Sequence, residues 1–185
     1  MIPRYTRKEI AEIWEDKNKF KIWLQIEILI CEALSKKGII PEKSLKIIKK
    51  KAKFDIKRID QIEKKVKHDV IAFLTNLAEN IGEDSRFIHK GVTSSDILDT
   101  TLSIQLKESC VIIKKELEKL LEVLKEKALS YKNTPCIGRS HGIYAEPTTI
   151  GLKMLGRYFE FQRSYERFLE AEKNISVCSI SGAVG

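Results

Sequence analysis

From Ser94 to about Tyr131 the chain runs without a proline or glycine, and Leu98, Leu102, Leu106, Ile113, Leu117, Leu120, Leu121, Leu124 and Ala128 mark one apolar stripe along it. Their recurrence at about 3.5 to 3.6 residues is the signature of a helix with one buried face. More than about thirty residues at about 1.5 Å each predict a rod on the order of 50 Å. A rod so long and so apolar along one side does not bury itself against a small domain, so the stripe predicts a bundle, and an oligomeric one.

The rest of the chain reads the same way. Thr6 and Glu9 have capping-box spacing, which predicts a helix opening near Arg7. Between Asn18 and Lys37, Phe20, Trp23, Leu24, Ile26, Glu27, Leu29, Ile30, Ala33 and Leu34 form a wide stripe that stops at Gly38. Pro41 suits the first turn of a helix reaching about Ala52, Asp55 suits the cap of the next, and a third spans roughly Asp69 to Ile81. A last long helix is expected from Pro147 or Thr148 to Lys173. No convincing period-2 alternation, tandem repeat or low-complexity linker is present. The predicted fold class is all-α: a small helical amino-terminal domain over residues 1–93, then the first part of a long-helix bundle over 94–185. The closing SVCSISGAVG carries no stop signal, so the expectation is a portion of a longer chain.

Composition narrows the function. The hydrophobic runs fall well short of the roughly eighteen residues a membrane span needs, and MIPRYTRKEI has no signal-peptide core, so a cytoplasmic protein with no membrane partner is expected. Cys31, Cys110, Cys136 and Cys178 are too scattered for a metal site and read as reduced, mostly buried thiols. The net charge of +8 comes with lysines interleaved with glutamates, as in KKELEKLLEVLKEK, which is a solvated helix face rather than a nucleic-acid stripe. A basic field also attracts a multiply anionic small molecule.

All three histidines, His68, His89 and His141, fall at polar helix boundaries. An imidazole gives or takes a proton near its ordinary pKa of about 6.5, and titratable groups that converge mark active sites. His141 sits in TPCIGRSHGIYAEPTTIGL, read as a glycine-bracketed crossing between two helices, with Arg139 and Ser140 beside it. Lys67, His68 and Asp69 place cation, imidazole and carboxylate at one helix start. There Asp69 either fixes the imidazole tautomer or caps the helix while His68 faces water. Thr93, Ser94, Ser95 and Asp96 open the long helix with hydroxyls that can cap it, hold a carboxylate, or both. Arg4 and Tyr5 precede the first helix. GRSHG formally matches GxSxG, but the nucleophile elbow needs a strand before it, a helix directly after it and a later histidine, and no histidine follows His141. The final SGAVG lacks the lysine and hydroxyl of a phosphate loop.

With MIPRYT, KHDVIAF, HKGVTSSDILDT, GRSHGIYAEPTT and SGAVG in that order, the chain resembles the adenylosuccinate lyase family of the fumarase/aspartase superfamily along essentially its whole length. The resemblance implies β-elimination of fumarate from adenylosuccinate, giving AMP, and from SAICAR, giving AICAR. It implies no metal and no organic cofactor, an anionic nucleotide substrate, and a homotetramer whose sites draw on three subunits, so that this portion alone is inactive. It carries the role of general acid to His141, assisted by His68. It gives the phosphate to Arg4 and Tyr5, nucleotide and succinyl contacts to Lys67 and Asp69, a carboxylate to Thr93 and Ser94, the ribose-phosphate neighbourhood to His89, and a binding role to Ser140. Lys67 stands where arginine is usual in the family, a point charge in place of a fork, and Ser140 where threonine is commoner. A non-catalytic helical oligomerisation module and an RNA-binding helical protein are the competing readings.

Overall fold

The computed structural model describes residues 2–185; Met1, the first letter of MIPRYT, lies outside them. Seven α-helices account for most of the described residues: α1 (Lys8–Ile13), α2 (Asp16–Lys36), α3 (Glu42–Lys51), α4 (Ile56–Val66), α5 (Asp69–Ile81), α6 (Ser94–Ser130) and α7 (Ile150–Ile175). The class is all-α with one small sheet, formed by β1 (Pro135–Ser140) and β2 (Ile143–Thr149).

Helix ends follow local chemistry. Asp55 caps α4 by accepting the Arg58 N–H at 2.9 Å, as its position predicts. The capping box at Thr6 does not form: the Thr6 hydroxyl donates to the Ile2 carbonyl, and α1 begins at Lys8 without a side-chain cap. Helix α6 spans the predicted rod, about 55 Å at about 1.5 Å per residue.

The chain divides into two compact units, residues 1–106 with 177–185, and residues 107–176. The division between these units falls inside α6. Side chains on the first turns of α6 explain why. Gln105 donates to the Ile13 carbonyl at 2.7 Å, Thr100 exchanges hydrogen bonds with the Ser179 backbone, and Asp96 holds Ser181 and Gly182.

The first unit has a core of its own. Phe20 and Phe73 stack with centroids 5.7 Å apart, Trp23 meets both edge-on at 5.1 and 5.4 Å, and Phe54 closes the group. Ile40, Ile48, Ile59, Val70, Leu77 and Ile97 are buried around it. Offset and edge-on pairs align ring edges with ring faces, which adds about 0.5–1.5 kcal/mol per pair to the area term.

In the second unit the Thr134–Leu152 stretch is an antiparallel hairpin, where the sequence reading had a loop and a helix from Pro147. Pro135 pairs with Thr149, Ile137 with Pro147 and Arg139 with Tyr144, with one extra residue on β2 in between. Alternation is masked there by the bulge and by glycine and proline. The bulge depends on Gly138, where a Cβ would lie 2.6 Å from the Glu146 carbonyl oxygen. His141 and Gly142, with φ of 50° and 77°, form a two-residue turn positive at both positions. Thr149 then caps α7 by accepting the Leu152 N–H at 3.1 Å. Gly151 packs onto the end of α6, a Cβ there falling 2.5 Å from the Ala128 carbonyl oxygen, while its N–H donates to the Tyr131 carbonyl.

Candidate functional site

Three non-glycine residues among those described have a positive φ: Lys67 at 57°, His89 at 61° and His141 at 50°. A side chain in the left-handed region sets Cβ against the carbonyl, at a cost of about 1–2 kcal/mol. Such conformations gather where function requires a particular side-chain direction. All three are residues the sequence nominates.

Lys67 is the left-handed cap of α4, donating its N–H to the Glu63 carbonyl at 2.8 Å, and the next residue opens α5. His68 is itself the cap of α5: its Nδ1 accepts the Ile71 N–H at 3.4 Å. Neither sequence alternative named the imidazole as the cap. A neutral ring that accepts at Nδ1 carries its proton on Nε2, so His68 presents a donor there. Asp69 stands 3.5 Å away and bonds the Val70 N–H. Lys67 also borders an open cavity of about 480 Å³ with Asp60, Glu63 and Lys64. Two carboxylates offset the two lysines in that wall, so it offers a phosphate no excess positive charge.

His89 occupies a turn after a short 3₁₀ segment, Glu83–Phe87. Its backbone N–H donates to Glu27 Oε2 at 2.9 Å and its Nδ1 lies 2.6 Å from Glu27 Oε1. Glu27, on α2, is 1% exposed. Burial first, and then this carboxylate, push the nearby Cys31 thiol up to about 11, so it stays protonated and donates to the Phe87 carbonyl. Of the other cysteines, Cys110 is buried, Cys136 partly so and Cys178 exposed, a more mixed distribution than expected.

At the start of α6, Thr93 and Asp96 make half of a capping box, Asp96 Oδ2 accepting the Thr93 N–H at 2.9 Å. Asp96 also accepts from Ser181 N–H at 2.9 Å and Gly182 N–H at 3.0 Å. These donors, the Ser181 N–H foremost, hold its carboxyl below the usual carboxylate range. The hydroxyls of Thr93 and Ser94 and the N–H groups of Ser94 and Ser95 take no partner among the described residues, so the helix start keeps donors for an anion.

Arg4 lies with its guanidinium 4.7 Å from the Tyr5 ring centroid, both exposed in a 3₁₀ turn. His141 stands exposed at the hairpin tip with Ser140 beside it, and Arg139 covers the Tyr144 ring across the strands. Ser140 does end a strand, but a second strand follows where an elbow requires a helix, so GxSxG is not a nucleophile elbow.

Thus Arg4, Tyr5, Lys67, His68, Asp69, His89, Thr93 and Ser94 belong to the first unit, and Ser140 and His141 to the second. No hydrogen bond links the 67–69 group to His89 or Thr93. Sequence reasoning named Glu27 and Asp96 only as members of a helix stripe and a helix start, and missed what each holds. Both were legible: Glu27 is a lone carboxylate inside an apolar stripe, and Asp96 stands three residues after Thr93.

The chain is similar to known proteins. A lyase family matches residues 4–185. The chain is 48% identical over its 185 residues to the adenylosuccinate lyase of Staphylococcus saprophyticus and 47% to that of Bacillus subtilis, spanning 43% of each. It superposes on a fumarate lyase from Mesorhizobium sp. BNC1 with a TM-score of 0.89 at 25% identity, covering 98% of this chain and 44% of that one. A 3-carboxy-cis,cis-muconate lactonizing enzyme from Pseudomonas putida gives 0.87 at 26%, covering 98% and 43%.

Proposed function

The chain belongs to the lyase family, and from that premise we propose that the polypeptide it contributes to is an adenylosuccinate lyase, releasing fumarate from adenylosuccinate and from SAICAR. The observation that carries this beyond the relatives' names is the left-handed backbone at Lys67, His89 and His141: three nominated residues held in a costly conformation.

The chemistry asks for what these residues offer. Removing a weakly acidic proton beside a carboxylate builds a doubly charged aci-carboxylate, which is stabilised by fixed N–H and hydroxyl donors. In this reading Thr93 and Ser94 supply them, while Asp96 keeps its own charge occupied by the Thr93, Ser181 and Gly182 N–H groups. The leaving nitrogen needs a proton as the C–N bond breaks, and in this reading His141, on the exposed hairpin turn, gives it. His68 donates through Nε2 to the succinyl group, with Lys67 and Asp69 beside it. Arg4 and Tyr5 hold the phosphate, His89 lies near the ribose-phosphate, and Ser140 contributes a hydroxyl. Assembly as a cytoplasmic homotetramer belongs to the same reading. It is supported by the apolar residues that α6 and α7 leave exposed, among them Leu102, Val111, Leu129, Leu152 and Phe159.

Fumarate release from adenylosuccinate, by a polypeptide carrying this chain at the length of its relatives, tests the reading. Turnover is expected, and Arg4→Ala is expected to weaken AMP binding chiefly. A polypeptide that assembles but releases no fumarate leaves a helical oligomerisation module in its place.

A further inference from the structure

Glu27 is the one fully buried acidic side chain of α2, and both of its oxygens are spent on His89. A carboxylate in a core of Phe20, Trp23 and Ile26 is costly to bury unless its lone pairs are satisfied. Oε2 takes the backbone N–H of the left-handed residue, and Oε1 takes the ring at Nδ1, 2.6 Å away. An ionised carboxylate only accepts, so Nδ1 must carry a proton. The ring keeps 19% exposure, and Nε2 has no partner among the described residues.

We propose that Glu27 is the positioning residue of His89: it holds the left-handed turn, keeps the ring proton on Nδ1, and so leaves Nε2 as the nitrogen that takes up the second proton with which the ring donates to an anionic group of the substrate. The contact forms as Nε2 takes up that proton, and because the buried carboxylate balances the resulting imidazolium, the hydrogen bond to the anion is charge-assisted. This is opposite to His68, whose Nδ1 accepts and whose proton sits on Nε2. Glu27 itself lies on the far side of the ring from the ligand and acts only through His89. The lyase reading supplies the identity of the anion; the tautomer does not depend on it.

Nitrogen-15 NMR of the histidine-labelled chain reads the proton directly, and three histidines make assignment simple, with His89→Gln identifying one set of signals. In its neutral form the His89 ring is expected to show a protonated Nδ1 and a bare Nε2. In Glu27→Gln the replacement carboxamide oxygen still accepts the backbone N–H while its NH2 donates to Nδ1, so the proton is expected to move to Nε2. A native ring with its proton on Nε2, or an unchanged tautomer in the variant, overturns the proposal; the native spectrum decides even where the variant fails to fold. In the polypeptide of the relatives' length, Glu27→Gln is expected to weaken AMP binding and raise KM about tenfold, the difference between a charge-assisted and a neutral hydrogen bond, with kcat changed less. An equal loss in kcat with KM unmoved contradicts the ligand contact. If no fumarate is formed even by the native protein, the lyase reading fails while the nitrogen shifts still judge Glu27.

Discussion

Helices α5 and α7 are both amphipathic, yet they come to different ends. Helix α5, 13 residues long, buries Val70, Ala72, Phe73, Asn76, Leu77 and Ile81, whereas α7, 26 residues long, buries only Gly151. The difference lies in what surrounds them: α2, α3 and α4 enclose α5, while the second unit contains only part of α6, a hairpin and α7 itself. Leu152, Leu155 and Phe159 remain exposed. A short helix inside a closed core is stabilised by its own unit; a long one with a bare apolar face draws its stability from further helices.

Matched truncations separate these cases most sharply. Phe73→Ala, at a fully buried ring, is expected to cost about 3–5 kcal/mol in urea unfolding followed through the buried Trp23. Phe159→Ala, at a ring 48% exposed, is expected to cost less than about 1 kcal/mol in the isolated chain. Equal losses would break the comparison. Gly151→Ala probes a tight contact at the start of α7: a methyl group set 2.5 Å from the Ala128 oxygen should cost about 1–3 kcal/mol and strip hydrogen-exchange protection from the Ile150 and Gly151 amides. Protection left intact would show that this contact does not hold the start of α7.

The smallest effect concerns the tail that completes the first unit. Because the folded Asp96 carboxyl titrates below its ordinary range, its contribution is present above that range and is lost as pH falls through the depressed value. The Ser181 and Gly182 amides should therefore exchange with a larger opening constant in acid, and Asp96→Asn should remove that pH dependence. Amides whose opening does not change with pH would show the clasp to be incidental.

Much of this was legible in the sequence because it rests on local periodicity. The 37 residues of α6 follow from an unbroken stripe, and α3 to α5 from Pro41, Asp55 and Gly82. The hairpin was not, because its turn is His141-Gly142 rather than a common asparagine-glycine pair, and Gly138 and Pro147 interrupt the alternation at the bulge. Nominating His68, His89 and His141 needed only their polar surroundings. How each ring is held did not follow, since Nδ1 of His89 depends on Glu27, sixty-two residues earlier, and Nδ1 of His68 on a helix start.

The left-handed histidine at the hairpin tip offers the most direct test of whether the nominated residues serve chemistry or merely shape the chain. His141→Gly removes the imidazole while fitting a φ of 50° without strain, so the hairpin should be as stable as before or better by up to about 1 kcal/mol. In the polypeptide of the relatives' length, fumarate release from adenylosuccinate should then fall by about a hundredfold or more, as loss of a general acid demands. Undiminished release from a protein so relaxed would contradict the lyase site described for this chain.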